Sequence, residues 1–171
     1  MRKLETTVTC LEMKSEHVYR VAPPSNLKLM LLRAENITTE FYRFLYAAVG
    51  KGFEWHDRDD LNDAELSAEL HAPGVEVWVI YVNGQPAGFF ELVPRDGNVI
   101  ELDLFGLISN FRGLGLGKWL LGEAVRAAWA KAPARLIVET CTLDSPAALP
   151  LYQKMGFNPY AQTQSVRIVA D

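Results

Sequence analysis

The chain has 171 residues, a formal net charge of −4, and a composition of 49% hydrophobic and 22% charged residues. That length suits one domain with a substantial core, and the composition excludes disordered and low-complexity classes. The negative charge argues against nucleic acid as a partner.

No apolar run approaches the length of a membrane span. The N-terminal stretch MRKLETTVTCLEMKSEH mixes polar and apolar residues and has no continuous apolar core of a secretory signal. Cys10 and Cys141, with three scattered histidines, offer neither a metal-ligand spacing nor a disulfide framework. The expectation is a cytoplasmic protein with no membrane partner and no bound metal.

In chain order, Glu5 to Met13 alternates like a strand, and Lys28 to Arg33 is a short apolar run, strand or irregular. Thr38 and Thr39 precede a helix ending at Gly50, with Phe41, Phe44, Leu45 and Ala48 at helical spacing. KGFEWHDRDD connects it to a second helix, DAELSAELHA, with Leu66 and Leu70 on one side. EVWVIYV and PAGFFELV read as strands joined at Asn83-Gly84-Gln85, and Asp96-Gly97 leads into a third, NVIELDLFGLI. WLLGEAVRAAWA then reads as a helix and RLIVETC as a strand. SPAALPLYQKMG is a helix with Ser145 as N-cap, Pro146 in its first turn and Gly156 as its stop. Residues 157–169 close the sheet. The pattern is one α/β (α+β) domain over residues 1–171.

Before the WLLGEAVRAAWA helix stands FRGLGLGK, with Gly113, Gly115 and Gly117 alternating with Leu114 and Leu116. A glycine-rich turn opening a helix leaves backbone N–H groups for an anion. A dinucleotide fingerprint fails because its third glycine falls on Lys118. A P-loop fails because Arg112 replaces its first glycine and Trp119 its magnesium-binding hydroxyl. Arg112 to Gly117 instead matches R/Q-x-x-G-x-G/A, and Ala148 to Phe157 matches A-x-x-L-Y-x-x-x-G-F at every fixed position. On these motifs the chain resembles the GNAT superfamily of N-acetyltransferases, firmly from about Glu76 through Phe157.

The resemblance implies the GNAT fold, a mixed and mostly antiparallel sheet flanked by helices, with acetyl-CoA as cosubstrate. It implies that Arg112, Gly113, Leu114, Gly115, Leu116, Gly117 and Lys118 hold the pyrophosphate. Phe105, Gly106 and Leu107 would pair with the pantetheine, Gly106 permitting a bulge or splay. Ser145 sits where many members have an asparagine contacting the pantetheine, though a capping role competes. Many relatives are dimers, so a homodimer is possible.

Acyl transfer to an amine needs a deprotonated amine, proximity and a proton for the leaving thiolate. By simple alternation Ile100, Leu102 and Leu104 share one face of their strand, and Val99, Glu101, Asp103 and Phe105 the other. The resemblance favours Glu101 as the base, with Asp103 or a water relay as alternatives. Tyr152 matches the family tyrosine that protonates the CoA sulfur. Phe53, Trp55 and His56, with Asp57, are candidates for the wall of the amine site. A buried packing role is the simpler reading of Cys141. Two functions remain open at this level: an N-acetyltransferase of a small-molecule or protein amine, and a non-catalytic acyl-CoA sensor on the same fold. Glu101 and Tyr152 favour the enzyme, since a pure binder needs neither.

Overall fold

Asn83 and Gly84 both take positive φ, 50° and 83°, which gives the two-residue turn whose twist matches a β-hairpin. It joins β3 (Glu76–Val82) to β4 (Gln85–Arg95), with Val82 opposite Gln85. Asp96, Gly97 and Asn98 make the next turn, Gly97 and Asn98 again at positive φ, into β5 (Val99–Leu107). The computed structural model describes residues 2–17 and 20–169.

Around this meander lie β1 (Arg2–Met13), β2 (Leu29–Arg33), α1 (Thr39–Gly50) and α2 (Asp63–Leu70) on its N-terminal side. After it come a single 3-10 turn at Ser109–Phe111, α3 (Leu116–Trp129), β6 (Arg135–Cys141), α4 (Ala148–Lys154) and β7 (Asn158–Val169). The run left open as strand or irregular is strand β2, which pairs with β3 at one edge of the sheet. The full order is β2-β3-β4-β5-β6-β1-β7. Every neighbouring pair is antiparallel except β5–β6, which the α3 crossover makes parallel. Among the described residues β7 joins the sheet through β1, which is wedged between β6 and β7, so the first and last strands pair with each other.

Two cores follow from the alternation along the strands. On one face, Leu11, Ile80, Phe90, Leu102 and Val138 pack against Leu120, Leu121 and Ala124 of α3 and Phe157 after α4. On the other, Val77, Val79 and Phe89 pack against Leu45, Val49 and Leu66 of α1 and α2. The contact stripe of α1 differs from the sequence reading. Tyr42, Leu45, Tyr46, Val49 and Gly50 are its buried residues, and Phe44 is 53% exposed. The stripe turns by one position because both tyrosines bury their rings and keep their hydroxyls bonded, Tyr42 to Glu91 and Tyr46 to the Arg58 amide.

The helix ends show their caps. Thr38 Oγ1 accepts from the Phe41 amide, and Asn62 and Glu65 form a reciprocal capping box on α2. α3 begins at Leu116, earlier than expected, so Gly117 lies inside its first turn. α4 begins only at Ala148. Ser145 does not cap it directly: its Oγ accepts from the Ala147 amide at 3.3 Å, closing a turn one step before the helix.

Candidate active site

The β5–β6 ladder runs from Val99↔Arg135 to Leu102↔Val138 and stops, although β5 continues to Leu107 and β6 to Cys141. The two strands splay from that point, and the opening leads into a cavity of about 920 Å³. Asp144 fixes one lip, its Oδ2 accepting from Thr140 Oγ1 and the Cys141 amide, both at 2.9 Å. The turn it makes sets where α4, and with it Tyr152, enters the site.

The glycine turn stands beside the same opening. Gly113 (φ 76°) and Gly115 (φ 81°) are both left-handed, which is their reason for being glycine. Leu114 is 44% exposed, whereas Leu116 is buried in the core and pins the turn to α3. Among the described residues, no N–H from Gly113 to Gly117 donates to a loop carbonyl or a side chain. Those groups, with the positive end of α3, form an anion cradle. Lys118 meets Lys154 of α4, and this contact lowers its ammonium pKa. Two lysines meeting beside that cradle suit a multiply charged phosphate ligand, and Lys154 is a residue that the sequence reading missed.

Arg112 lines the cavity and is held by the ends of two elements. Its Nε donates to the Leu107 carbonyl at 3.0 Å, its Nη2 to the Val49 carbonyl at 3.1 Å, and its guanidinium covers the Phe53 ring at 4.5 Å. It ties the end of β5 to the end of α1. Gly106 is closely packed against α1, because a Cβ there would meet Val49 Cγ1 at 2.5 Å.

The irregularity of β5 falls at Asp103. Glu91 pairs with Leu104 and Leu92 with Leu102, so Asp103 is the extra residue of a β-bulge. The bulge overturns simple alternation beyond it. Leu104 packs with the α1–α2 core, while Phe105 and Leu107 join the α3 side. Phe105 therefore meets Tyr152 edge-on, with centroids 6.2 Å apart, instead of sharing a face with Glu101. Tyr152 is buried between Phe105 and Phe157, lines the cavity and makes no protein hydrogen bond among the described residues. Burial, with Asp144 adding to it, pushes its phenol well above the usual range. A phenol so placed stays protonated at neutral pH and has its proton to give.

Glu101 and Asp103 both line the cavity, as do Phe53, Trp55, Asp57, Phe105, Gly106, Leu107, Gly117 and Ser145. His56 does not: its ring is held outside by Asp59 (3.0 Å) and Glu54 (3.3 Å) and is 59% exposed. Trp55 packs on Tyr46 and Phe89, giving the wall its apolar floor.

The carboxylates are not alone. Arg58 Nη2 bonds Asp103 at 2.9 Å and Glu91 at 3.2 Å, and its Nη1 meets Glu69. Glu91 is 1% exposed and also accepts from the Tyr42 hydroxyl at 2.6 Å. Arg95 Nε donates to Glu101 at 2.5 Å. Burial raises the Glu101 carboxyl pKa; the Arg95 hydrogen bond opposes this, Asp103 adds to it, and the shift is upward. Nothing in the local sequence marks Arg58, Glu91 or Arg95 as partners, since Arg58 comes from the α1–α2 connection and the other two from β4.

Residues 34–157 match the model of the acetyltransferase (GNAT) family. The N-acetylaspartate synthetase of Danio rerio is 30% identical over 103 residues, which span 59% of this chain and 36% of that protein. An acetyltransferase from Bacillus subtilis, solved in complex with CoA, superposes with a TM-score of 0.60 at 21% identity, covering 78% of this chain and 79% of that one. An aminoglycoside acetyltransferase from a soil metagenome, solved with sisomicin, gives a TM-score of 0.61 at 16% identity over 84% and 95% of the two chains. The splayed strands, the glycine cradle and the family match together place this chain in the GNAT acetyltransferase family.

Proposed function

We propose that the protein transfers an acetyl group from acetyl-CoA directly to a primary amine. The observation that carries this reading is one continuous cavity lined by Gly117 at the start of α3, by Glu101 of β5 and by Tyr152 of α4. The pyrophosphate would rest on the amides of Gly113 to Lys118, with Lys118 and Lys154 beside it, and the pantetheine would enter between β5 and β6. The structure solved with CoA supports that cosubstrate on a like fold.

The amine arrives as an ammonium and gives one proton to Glu101, which releases it to solvent. Its lone pair forms the new C–N bond at the acetyl carbonyl, the C–S bond breaks, and Tyr152 protonates the departing thiolate. The second amine proton restores the phenol, so the products are one amide, one thiol and one proton. A sensor that only binds acyl-CoA has no use for a buried phenol and a carboxylate facing the same cavity. The relatives' names give two acceptor types to try, an acidic amino acid and an aminoglycoside.

The test is release of free thiol from acetyl-CoA across a panel of amines, alongside melting with CoA, NAD and ATP. CoA should raise the melting temperature most, since a ligand of the folded state stabilises it by mass action. Tyr152→Phe should keep CoA affinity within about threefold and lower turnover by roughly 10²-fold or more. Greater stabilisation by a nucleotide, or no thiol released with any amine, would overturn the reading.

A further inference from the structure

Glu101 is already engaged in the resting protein, with Arg95 Nε on its Oε2 at 2.5 Å. Arg95 is the last residue of β4 and returns over the hairpin, where Val93 stands opposite Glu101 and Arg95 opposite Val99. Its Nη2 lies 3.8 Å from Asp103, and among the described residues its Nη1 has no acceptor within hydrogen-bond distance. Its side chain is 48% exposed and lines the cavity. Arg58 is different: 17% exposed, with both terminal nitrogens bound to carboxylates. Arg58 is part of the wall. Arg95 has a hydrogen-bonding edge to offer.

A simple amine gains nothing from that edge. Its ammonium is repelled by the guanidinium and must compete with it for Glu101. An acceptor with a carboxylate near its amine reverses both effects, because the Nη1–Nη2 edge of a guanidinium takes a carboxylate through two parallel hydrogen bonds. The surrounding acids, Glu69, Glu91 and Asp103, still attract the ammonium.

Resting on the acetyl-transfer reading above, we propose that the acceptor is a free amino acid and that Arg95 is its carboxylate receptor. The acceptor's carboxylate draws the guanidinium off Glu101, and Glu101 is then free to take the ammonium proton. Arg95 is thus both the specificity-determining residue and the restraint that keeps the base idle without its proper substrate. The chemistry adds no step: the same proton leaves the same nitrogen. The groups facing Glu101 are Arg95 from β4, Asp103 on its own strand, Glu139 from β6 and Cys10 from β1. Of these only Arg95 holds the carboxyl down, so its departure leaves burial and the neighbouring acids to strengthen the base.

The experiment compares amino acids with their own amides and decarboxylated amines, in the wild-type protein and in Arg95→Met. Wild-type kcat/KM should fall about 10- to 100-fold when the carboxylate is amidated or removed, the scale of a charged hydrogen-bonded pair. In Arg95→Met the free amino acid should lose most of that advantage over its amide, chiefly through KM. The acid limb of the kcat/KM profile for the amide should move to higher pH in the same variant. Equal wild-type rates on amino acids and their amides, or a preference for polyamines or aminoglycosides, would overturn this inference and leave acetyl transfer standing. So would an Arg95→Met variant that loses both substrates in equal proportion. Thiol release with no amine at all would overturn both readings.

Discussion

In the acetyl-transfer reading proposed above, CoA and the acceptor would be recognised by different means. At the CoA end the groups on offer are backbone amides, fixed by Gly113 and Gly115 in left-handed conformations and by a helix that starts at Leu116. At the acceptor end they are side chains, Arg58, Glu91, Arg95, Glu101 and Asp103, brought from a loop and two strands and bonded to one another. Backbone recognition depends on a few consecutive residues, so a short stretch of sequence can encode it. A side-chain network depends on register and on the path of a loop. The difference predicts where substitutions will damage binding, where chemistry and where the fold.

The largest effect should come from Glu101→Gln, which removes the proposed base while keeping shape and polarity. We expect kcat/KM to fall about 10²–10⁴-fold near neutral pH, with CoA affinity unchanged. The loss should shrink as pH rises, because more of the amine then arrives deprotonated. Asp103→Asn should cost less, its carboxylate being held by Arg58. The reverse ranking, read from the same kinetics, would transfer the role of base to Asp103.

Next is Arg58→Met, a test of the acceptor wall as structure. It leaves Glu91, whose side chain is 2% exposed, without its close cation. Removing one partner of a buried pair costs about 3–5 kcal/mol, so the variant should melt well below the wild type. Arg58→Met combined with Glu91→Gln should recover part of that loss, as the stranded charge is gone. Denaturant melts of the two variants decide the point; equal stabilities would mean that Glu91 is not the group left stranded.

At the CoA end, Gly117 gives a cleaner probe than the two left-handed glycines. A Cβ there meets only Leu151, at an ordinary 3.8 Å, and Gly117 already lies in the helix. Gly117→Val should therefore fold, yet crowd the phosphate and weaken CoA binding by about tenfold or more, or roughly 1.4 kcal/mol. Acceptor specificity in that variant should be unaltered, which separates the two ends. Calorimetric titration with CoA measures it.

The sequence made much of this legible, and the failures have physical causes. The Asn83-Gly84 hairpin, the α2 stripe at Leu66 and Leu70, and the glycine turn at Gly113 and Gly115 are all local patterns, and each is present. The insertion of β1 between β6 and β7 was not legible, since partner choice across the whole chain leaves no local mark. Neither was the bulge at Asp103, which needs no glycine and breaks the alternation that placed Phe105 beside Glu101. The reach of Arg112 to the carbonyls of Leu107 and Val49 left no local mark either, since it depends on how α1 packs against β5. The EWHDRDD segment is the sharpest instance. Its aromatic and acidic residues drew attention to His56, while the residue that enters the ion-pair network is Arg58, two positions on.

The smallest expected effect follows from that last contrast. His56 lies outside the cavity, between Asp59 and Glu54, and its pKa is raised first by the Asp59 hydrogen bond. A histidine held this way favours its charged form in the folded state. Its stabilising contribution is complete below the unfolded value of about 6.5 and fades as pH rises through the higher folded value. With the ring more than half exposed, solvent screens the pair and the contribution is small. His56→Gln should therefore leave kcat/KM within about twofold at every pH, the margin of a screened surface contact. It should lower the melting temperature slightly at pH 5.5 and not at pH 8.5. A pH-dependent collapse of turnover in this variant would move proton abstraction from the strand to the loop, and with it the division between a backbone end and a side-chain end would lose its chemical half.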